Sequence, residues 1–504
     1  GKATPSVFDN TISDTTGPGF IVTTGATGEF KNNSVQGCGG PGIEVTESAD
    51  PKFQDNTVSE CKAAGVSVSN GGLGQFINNH IHSNKGDNVV VSGGLSRPTL
   101  EKNDIYNSMA SGVSITDAGK VDLIGNNIHH NALAQVLGSK QAEVSAVDNE
   151  VHHGFGPGFE LDNAQGDIRG NRIYMNRRPG ILCKDRAIPI CQENQIFENQ
   201  EQGGFVTDGG GGLFQENNIY GNVLACAEAD RHSNLELIKN TIYDSVGHGV
   251  VVGGGSKGDL RGNHIYGMAL AGIVIAGTGT APSVTSNDVH DCQEGGITFT
   301  QDSGGTCSGN HVHDNTLCGI EVRNSNPEIV ENKVTGNNDA GIVLCDGGFP
   351  VLEGNKVTRN KLAGLKVIGY SEPTVRDNVF ESNHSFGILI LERGRGVFSN
   401  NTVQANKCAN VCIKARPDPG QALVPPVRFD GNKILDGLMW GVHIVEEGSA
   451  DLSNNIICNN QLPGIEADTT SQFIIKSEWL VSRRLSPAPL YSPCLYASSL
   501  GFLS

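Results

Sequence analysis

One tripeptide, Asn-x-(Ile/Val/Phe), returns twenty times along this chain and limits its fold more than any other feature. It stands at Asn10, Asn33, Asn56, Asn79, Asn103, Asn126, Asn149, Asn171, Asn194, Asn217, Asn240, Asn263, Asn287, Asn310, Asn332, Asn355, Asn378, Asn401, Asn432 and Asn455. Spacing is 22 to 24 residues throughout, except for 31 between Asn401 and Asn432. A fixed period of this length marks a stack of like units, each burying its apolar face against the next.

Each period reads as three short strands. Residues such as Thr99-Leu100-Glu101 run just before the Asn, a second strand surrounds the tripeptide, and Gly42-Ile43-Glu44-Val45 typifies the third. Alternation over three or four residues, with no helical spacing, means strands with one buried face. The expected fold is all-β: a right-handed parallel β-helix of about 20 rungs of about 23 residues, each rung about 4.8 Å from the next. It should span residues 1–468, with a loop insertion at about 414–427 around Pro417, Pro419 and the Pro425-Pro426 pair. Residues 469–504 lack the motif and read as a cap or a disordered tail.

Two Asn columns should be structural, the tripeptide Asn and one five residues later (Asn84, Asn131, Asn176, Asn199, Asn222, Asn315, Asn337, Asn360, Asn383, Asn406), because buried amides at turns satisfy groups that strands cannot. Nine residues after the tripeptide Asn, sixteen of the twenty rungs carry Gly, and the exceptions are Asn88, Gln135, Cys226 and Asn410. Gly and Asn tolerate positive φ, so this column reads as a left-handed corner. Five residues before the tripeptide Asn, Pro and Gly alternate over many rungs, as at Pro5, Gly28, Pro51 and Gly74.

The chain has 504 residues, and 36 Lys plus Arg against 54 Asp plus Glu leave a net charge of −18. That balance opposes nucleic-acid binding, which needs a positive face. No apolar run approaches membrane-span length, and the mean hydropathy is −0.24. The 13 Cys lack paired Cys-x-x-Cys motifs, and Cys38 and Cys61 read as stacked reduced thiols one rung apart. The sequence opens Gly1-Lys2-Ala3, with no basic-then-apolar leader. The expected location is cytoplasmic or nuclear, with a secreted protein as the alternative. Glycosylation at the sequons Asn32-Asn33-Ser34, Asn383-His384-Ser385 and Asn400-Asn401-Thr402 is not expected, because Asn383 belongs to the second Asn column and the other two acceptors abut the first.

Three segments carry a family resemblance: Gly369-Tyr370-Ser371-Glu372-Pro373-Thr374-Val375-Arg376-Asp377-Asn378, Gly394-Arg395-Gly396-Val397-Phe398-Ser399-Asn400-Asn401, and Lys361-Leu362-Ala363-Gly364-Leu365-Lys366-Val367. They resemble the CASH-like β-helix repeats of the F-box-only protein eleven family, substrate receptors of a cullin-type ubiquitin ligase. The resemblance runs at repeat level over residues 1 to about 468. It implies a non-catalytic recognition scaffold that binds a protein or peptide. Similar repeats occur in carbohydrate-active β-helices, which makes a polysaccharide binder, lyase or epimerase the alternative.

The balance of residues is against an enzyme. Gly247-His248-Gly249 resembles a polygalacturonase motif, but Gly249 belongs to the corner column and no Asp-Asp pair accompanies it. No catalytic residue, cofactor or metal site is assigned; His80 with His82, and His311 with His313, share strand faces but lack a third ligand. Two surface features are candidate binding sites. Three residues after the tripeptide Asn stand His82, Tyr106, His129, His152, Tyr174, Phe197, Tyr220, Tyr243, Tyr266, His290 and His313, a ring-bearing stripe that should point outward. Beside it Arg172, Arg177, Arg178, Lys184 and Arg186 form a basic knot suited to an anionic group. Stacked rings that stabilise the rod, and a solvated basic patch, are the competing structural readings.

Overall fold

A computed structural model describes residues 3–415, 426–476 and 479–481, the last three by backbone alone. The chain forms two compact units, Gly1–Asp288 and Val289–Ser504. In each, strands of three to five residues build three parallel sheets. The whole is the expected right-handed β-solenoid of about 20 turns with about 23 residues per turn. Sheet 1 holds the strands before the tripeptide Asn, sheet 2 those around it, and sheet 3 those after the corner Gly. Registers are in step: Gln75–Ile77 pairs with Thr99–Glu101, and His80–His82 with Asp104–Tyr106.

The three-residue strands of sheets 1 and 2 bury their middle residue, as in Lys52–Gln54 and His80–His82, and those of sheet 3 bury the two flanking residues, as in Ile43–Val45. In sheet 2 of the first unit, Ile81, Ile105, Ile128, Val151, Ile173, Ile196, Ile219, Ile242 and Ile265 are all fully buried. Each contributes roughly 1.5–3 kcal/mol relative to exposure. In sheet 1, Phe30, Phe53 and Phe76 stack at 4.5 and 5.4 Å.

The tripeptide Asn forms a continuous ladder within each unit. Asn56 Nδ2 donates to Asn79 Oδ1 (3.0 Å) and to the Phe30 carbonyl (2.9 Å), and its backbone N–H also donates to Asn79 Oδ1 (2.9 Å). The same pattern recurs from Asn33 to Asn287 and from Asn310 to Asn455. The second column behaves alike, as in Asn360 to Asn383 (3.1 Å) and Asn383 to Asn406 (3.1 Å). Of the sequon acceptors, Asn383 is fully buried, whereas Asn32 and Asn400, at left-handed turn positions (φ 54° each), are exposed.

Left-handed residues stand immediately before these Asn columns, as at Asp55 (φ 56°) and Lys102 (φ 56°) before the first, and Ser83 (φ 57°) and His130 (φ 56°) before the second. The corner Gly column is different, and the expectation of positive φ there is corrected. Neither Gly42 nor Asn88 is left-handed; Gly is required for space, because a Cβ at Gly42 would stand 2.5 Å from Val58 Cγ1 and 2.8 Å from the Gly65 carbonyl.

The four exceptions now have a cause. Each falls on a rung whose successor lacks the second-column Asn, having Ser108, Gly154, Ser245 or Gly437 instead. The corner side chain turns back and supplies the missing acceptor: Asn84 donates to Asn88 (2.9 Å), Asn131 to Gln135 (2.7 Å), Asn222 to Cys226 Sγ (4.0 Å) and Asn406 to Asn410 (2.9 Å).

Most of the loop expected at 414–427 lies outside the described residues, between strands Val411–Ala415 and Val427–Asp430. Beyond residue 468, Gln472–Lys476 pairs in parallel with Ser449–Ser453, and Trp479–Val481 with Ile456–Cys458. The remainder of the 469–504 tail is likewise outside the described residues.

Candidate functional site

Sheet 2 carries the ring stripe on its outer face. In the first unit nine rings, His82, Tyr106, His129, His152, Tyr174, Phe197, Tyr220, Tyr243 and Tyr266, stack face to face. Their centroids stand 4.7 to 5.3 Å apart, and adjacent planes lie within 13° of parallel. In the second unit His290 stacks on His313 at 4.7 Å. In-register pairing causes this, since it sets identical positions one strand spacing apart. Each inner ring covers its neighbours' faces, so the first-unit stripe offers solvent mainly ring edges. Most rings are half-buried, and Phe197 is buried. Burial raises the pKa of Tyr106, Tyr174, Tyr220 and Tyr243.

A polar ribbon runs beside the rings, two residues earlier on each strand. Asp104 Oδ1 accepts from His129 Nε2 (3.0 Å) and from Asn127 Nδ2 (2.9 Å). Asn127 Oδ1 in turn faces His152 Nε2 at 2.9 Å. Glu150 takes Arg172 (2.7 Å) and the Tyr174 hydroxyl (3.1 Å).

Rung-to-rung partners absorb most of the basic knot. Arg172 pairs with Glu150 and lies 5.3 Å from the centroid of Tyr174 and 5.8 Å from that of Phe197. Arg178 pairs with Glu201 (2.7 Å). Lys184 pairs with Glu160 (2.8 Å) and Asp162 (3.5 Å); burial opposes its charge, but these carboxylates outweigh burial and raise its pKa. Arg177 instead lies 4.2 Å over the Phe155 ring. Arg186 occupies a left-handed turn position (φ 69°) and is exposed. His248, of the Gly-His-Gly motif, accepts the Ala271 N–H at Nδ1 (3.2 Å), a link between rungs.

Sequence reasoning missed two features. The first is an apolar ridge at the turn between sheets 2 and 3 of the first unit. Met109 (70% exposed), Leu133 (56%) and Phe155 (49%) follow on successive rungs. After two polar rungs carrying the Arg178–Glu201 pair come Val223, Leu224 and Val246, the last 61% exposed. The signal was an apolar residue six or seven positions after the tripeptide Asn, where the other turns are mostly polar. The second is a four-imidazole cluster. His129 Nδ1 stands 2.7 Å from His130 Nδ1, and His152 Nδ1 stands 2.6 Å from His153 Nδ1. Rings stack across the rungs, His129 on His152 at 5.0 Å and His130 on His153 at 5.2 Å. Burial, then the charges of His129 and His153, lowers the pKa of His152 to about 4. Its signal was the two His-His dipeptides on adjacent rungs.

On sheet 1 of the same unit, a shallow cavity of about 250 Å³ is lined by Arg97, Lys120, Asp122, Glu143, Gln165 and Asp167, with their backbone neighbours. Arg97 grips Asp122 with two hydrogen bonds (2.9 and 3.0 Å), and Lys120 reaches Glu143 at 2.8 Å.

The family model for the right-handed β-helix region matches residues 1–105, 74–234, 225–380 and 370–480. No curated protein matches the chain. Among solved structures the chain is similar to the Vag8–C1 inhibitor complex, at 12% identity and TM-score 0.45, over 94% of this chain and 100% of that one. It is similar to the A-module of the Azotobacter vinelandii mannuronan C-5 epimerase AlgE4, at 14% identity and TM-score 0.30, over 75% of this chain and 90% of that one. It is also similar to the catalytic unit of a GH87 alpha-1,3-glucanase from Streptomyces thermodiastaticus, at 12% identity and TM-score 0.35, over 66% of this chain and 63% of that one.

Proposed function

The chain belongs to the right-handed β-helix family, and on that premise we propose that it is a non-catalytic recognition scaffold whose ligand is a protein, held along the sheet 2–sheet 3 turn of the first unit. The observation that carries this reading is the apolar ridge. Met109, Leu133, Phe155, Val223, Leu224 and Val246 keep 44 to 70% of their surface exposed along one turn edge, in two runs separated by two polar rungs. Isolated exposed hydrophobics are ordinary, but an aligned set costs solubility and marks a protein contact. Arg177, stacked on Phe155, sets a guanidinium in the middle of the ridge, where it would meet a partner's carboxylate. The ring stripe lies on the adjoining sheet and supports the same surface with polar ring edges. A ubiquitin-ligase substrate receptor is the narrower form of this reading and rests on the repeat resemblance.

The second reading is a carbohydrate binder, with the saccharide in the sheet 1 cavity. The cavity's forked and planar polar groups suit sugar hydroxyls. An exported protein would accompany this reading. No helix among the described residues is long and apolar enough to cross a membrane.

A photo-crosslinking residue at Leu133 or Val246, introduced in cells, should give one discrete protein adduct that Arg177→Glu removes. The same residue at Asp122 should give none. Adducts of equal yield at all three positions would overturn the protein reading. Absence of any adduct, with polysaccharide binding abolished by Asp122→Ala, would establish the second.

A further inference from the structure

We propose that Lys361, His384 and Lys407, at the sheet 2–sheet 3 turn of the second unit, form a binding site for one dianionic oxyanion group of the phosphate or sulfate type. The three residues hold one position on successive rungs, each directly after a second-column Asn. The backbone fixes their register. The Lys361 N–H donates to the Asn337 carbonyl (2.9 Å), the His384 N–H to that of Asn360 (2.9 Å) and the Lys407 N–H to that of Asn383 (3.1 Å). Each side chain therefore starts about 4.8 Å from the next. All three are exposed, and the neutral Asn338 and Leu438 occupy the same position on the rungs to either side.

What sets this column apart is the missing counter-charge. Elsewhere in the unit Arg323 pairs with Glu321 (2.8 Å) and Arg376 with Glu353 (2.6 Å). Among the described residues, Lys361 and Lys407 pair with no carboxylate. The acids bordering the turn are engaged or set aside. Asp339 Oδ1 accepts the Ala340 N–H (2.7 Å), Glu381 accepts from Gln404 (2.8 Å), and Asp436 stands on the rung beyond Lys407, two residues before Leu438. Arg359, exposed two residues before Lys361, adds further positive charge. Like charges one strand spacing apart repel. His384 registers this, since burial, then Lys407 and Lys361, lowers its pKa. An oxyanion held by both ammonium groups removes the repulsion. Flexible four-carbon stems let both Nζ atoms close over a group seated at the His384 ring, and every contact is charge-assisted. Two fixed positive charges match a dianion. The imidazole adds a third donor once protonated, so binding takes up a proton at His384.

The test titrates sodium sulfate into the full chain with isotope-labelled histidine rings, followed by nuclear magnetic resonance. Sodium chloride at equal ionic strength is the reference, because salt screens every surface charge, whereas sulfate stays dianionic through the range in which histidine titrates. His384→Asn assigns the resonance. The expected result is a His384 signal that saturates at one ion per chain, and a His384 titration at least about half a pH unit higher in sulfate than in chloride. Affinity should be about tenfold tighter at about pH 5.5 than at about pH 7.5, and at least about tenfold weaker in Lys361→Gln/Lys407→Gln. A His384 titration identical in the two salts overturns the proposal. So does undiminished affinity in the lysine variant, which seats the ion elsewhere. Sodium acetate should bind at least about tenfold more weakly than sulfate, and equal affinity refutes the dianion class. Should the lysine variant not fold, the native chain's titration in the two salts decides alone.

Discussion

A single buried amide shows how tightly residues on adjacent rungs depend on each other. Asn84 finds its acceptor in Asn88 because the next rung has Ser108 where an Asn would stand. Asn88→Gly should therefore destabilise the chain by about 1–3 kcal/mol, the cost of an unsatisfied buried donor. Adding Ser108→Asn should recover most of that loss by restoring the ordinary column, and urea midpoints of the single and double variants check it. Titration acts at the same scale. Burial, then the charge of His80, lowers the His82 pKa below its usual 6.5, and burial lowers that of His443. The unfolded chain then takes up these protons first. Stability is full above about pH 6.5 and falls as pH drops through the folded values. Unfolding midpoints should decrease between about pH 7.5 and about pH 5.5, and less so in His82→Asn.

At the scale of the element, the nine-ring stack holds sheet 2 together from outside as the Ile column does from inside. Tyr243 lies 4.8 Å from Tyr220 and 5.3 Å from Tyr266, with both faces covered. Tyr243→Ser should lower stability by about 2 kcal/mol or more, while Tyr243→Phe, which keeps the ring, should stay within about 0.5 kcal/mol. Thermal unfolding of the two variants separates the ring's packing from its hydroxyl. Equal loss in both would mean that the hydroxyl, not the stacking, carries the contribution.

Across the molecule, almost every contact joins one rung to the next. Stability should then be a sum of nearest-neighbour terms and give way locally. Asn240 donates to Asn263 (3.0 Å) and to the Phe214 carbonyl (2.8 Å), and accepts from Asn217. Hydrogen exchange in Asn240→Ala should quicken in strands Gly211–Gln215, Thr241–Tyr243 and His264–Tyr266, and stay unchanged in Glu29–Lys31. A uniform rise over all rungs would mean that the solenoid unfolds as one cooperative body.

The amino-acid sequence by itself determined the solenoid, the rung length, both Asn ladders and the outward stripe, because a parallel stack repeats its chemistry at a fixed period and the period is visible in one dimension. What needed tertiary structure was every relation set by space rather than period. The corner glycines proved necessary for the close approach of the next rung, not for their φ, and no single rung carries that information. The ring stripe became a stack because register sets the rings one strand spacing apart and turns their faces to each other. The basic knot became a series of ion pairs because Glu150, Glu160 and Glu201 lie about 23 residues away in sequence but one rung away in space. The imidazole cluster and the apolar ridge emerged only when neighbouring rungs were superposed, since each residue alone looks like an ordinary strand-end or turn residue.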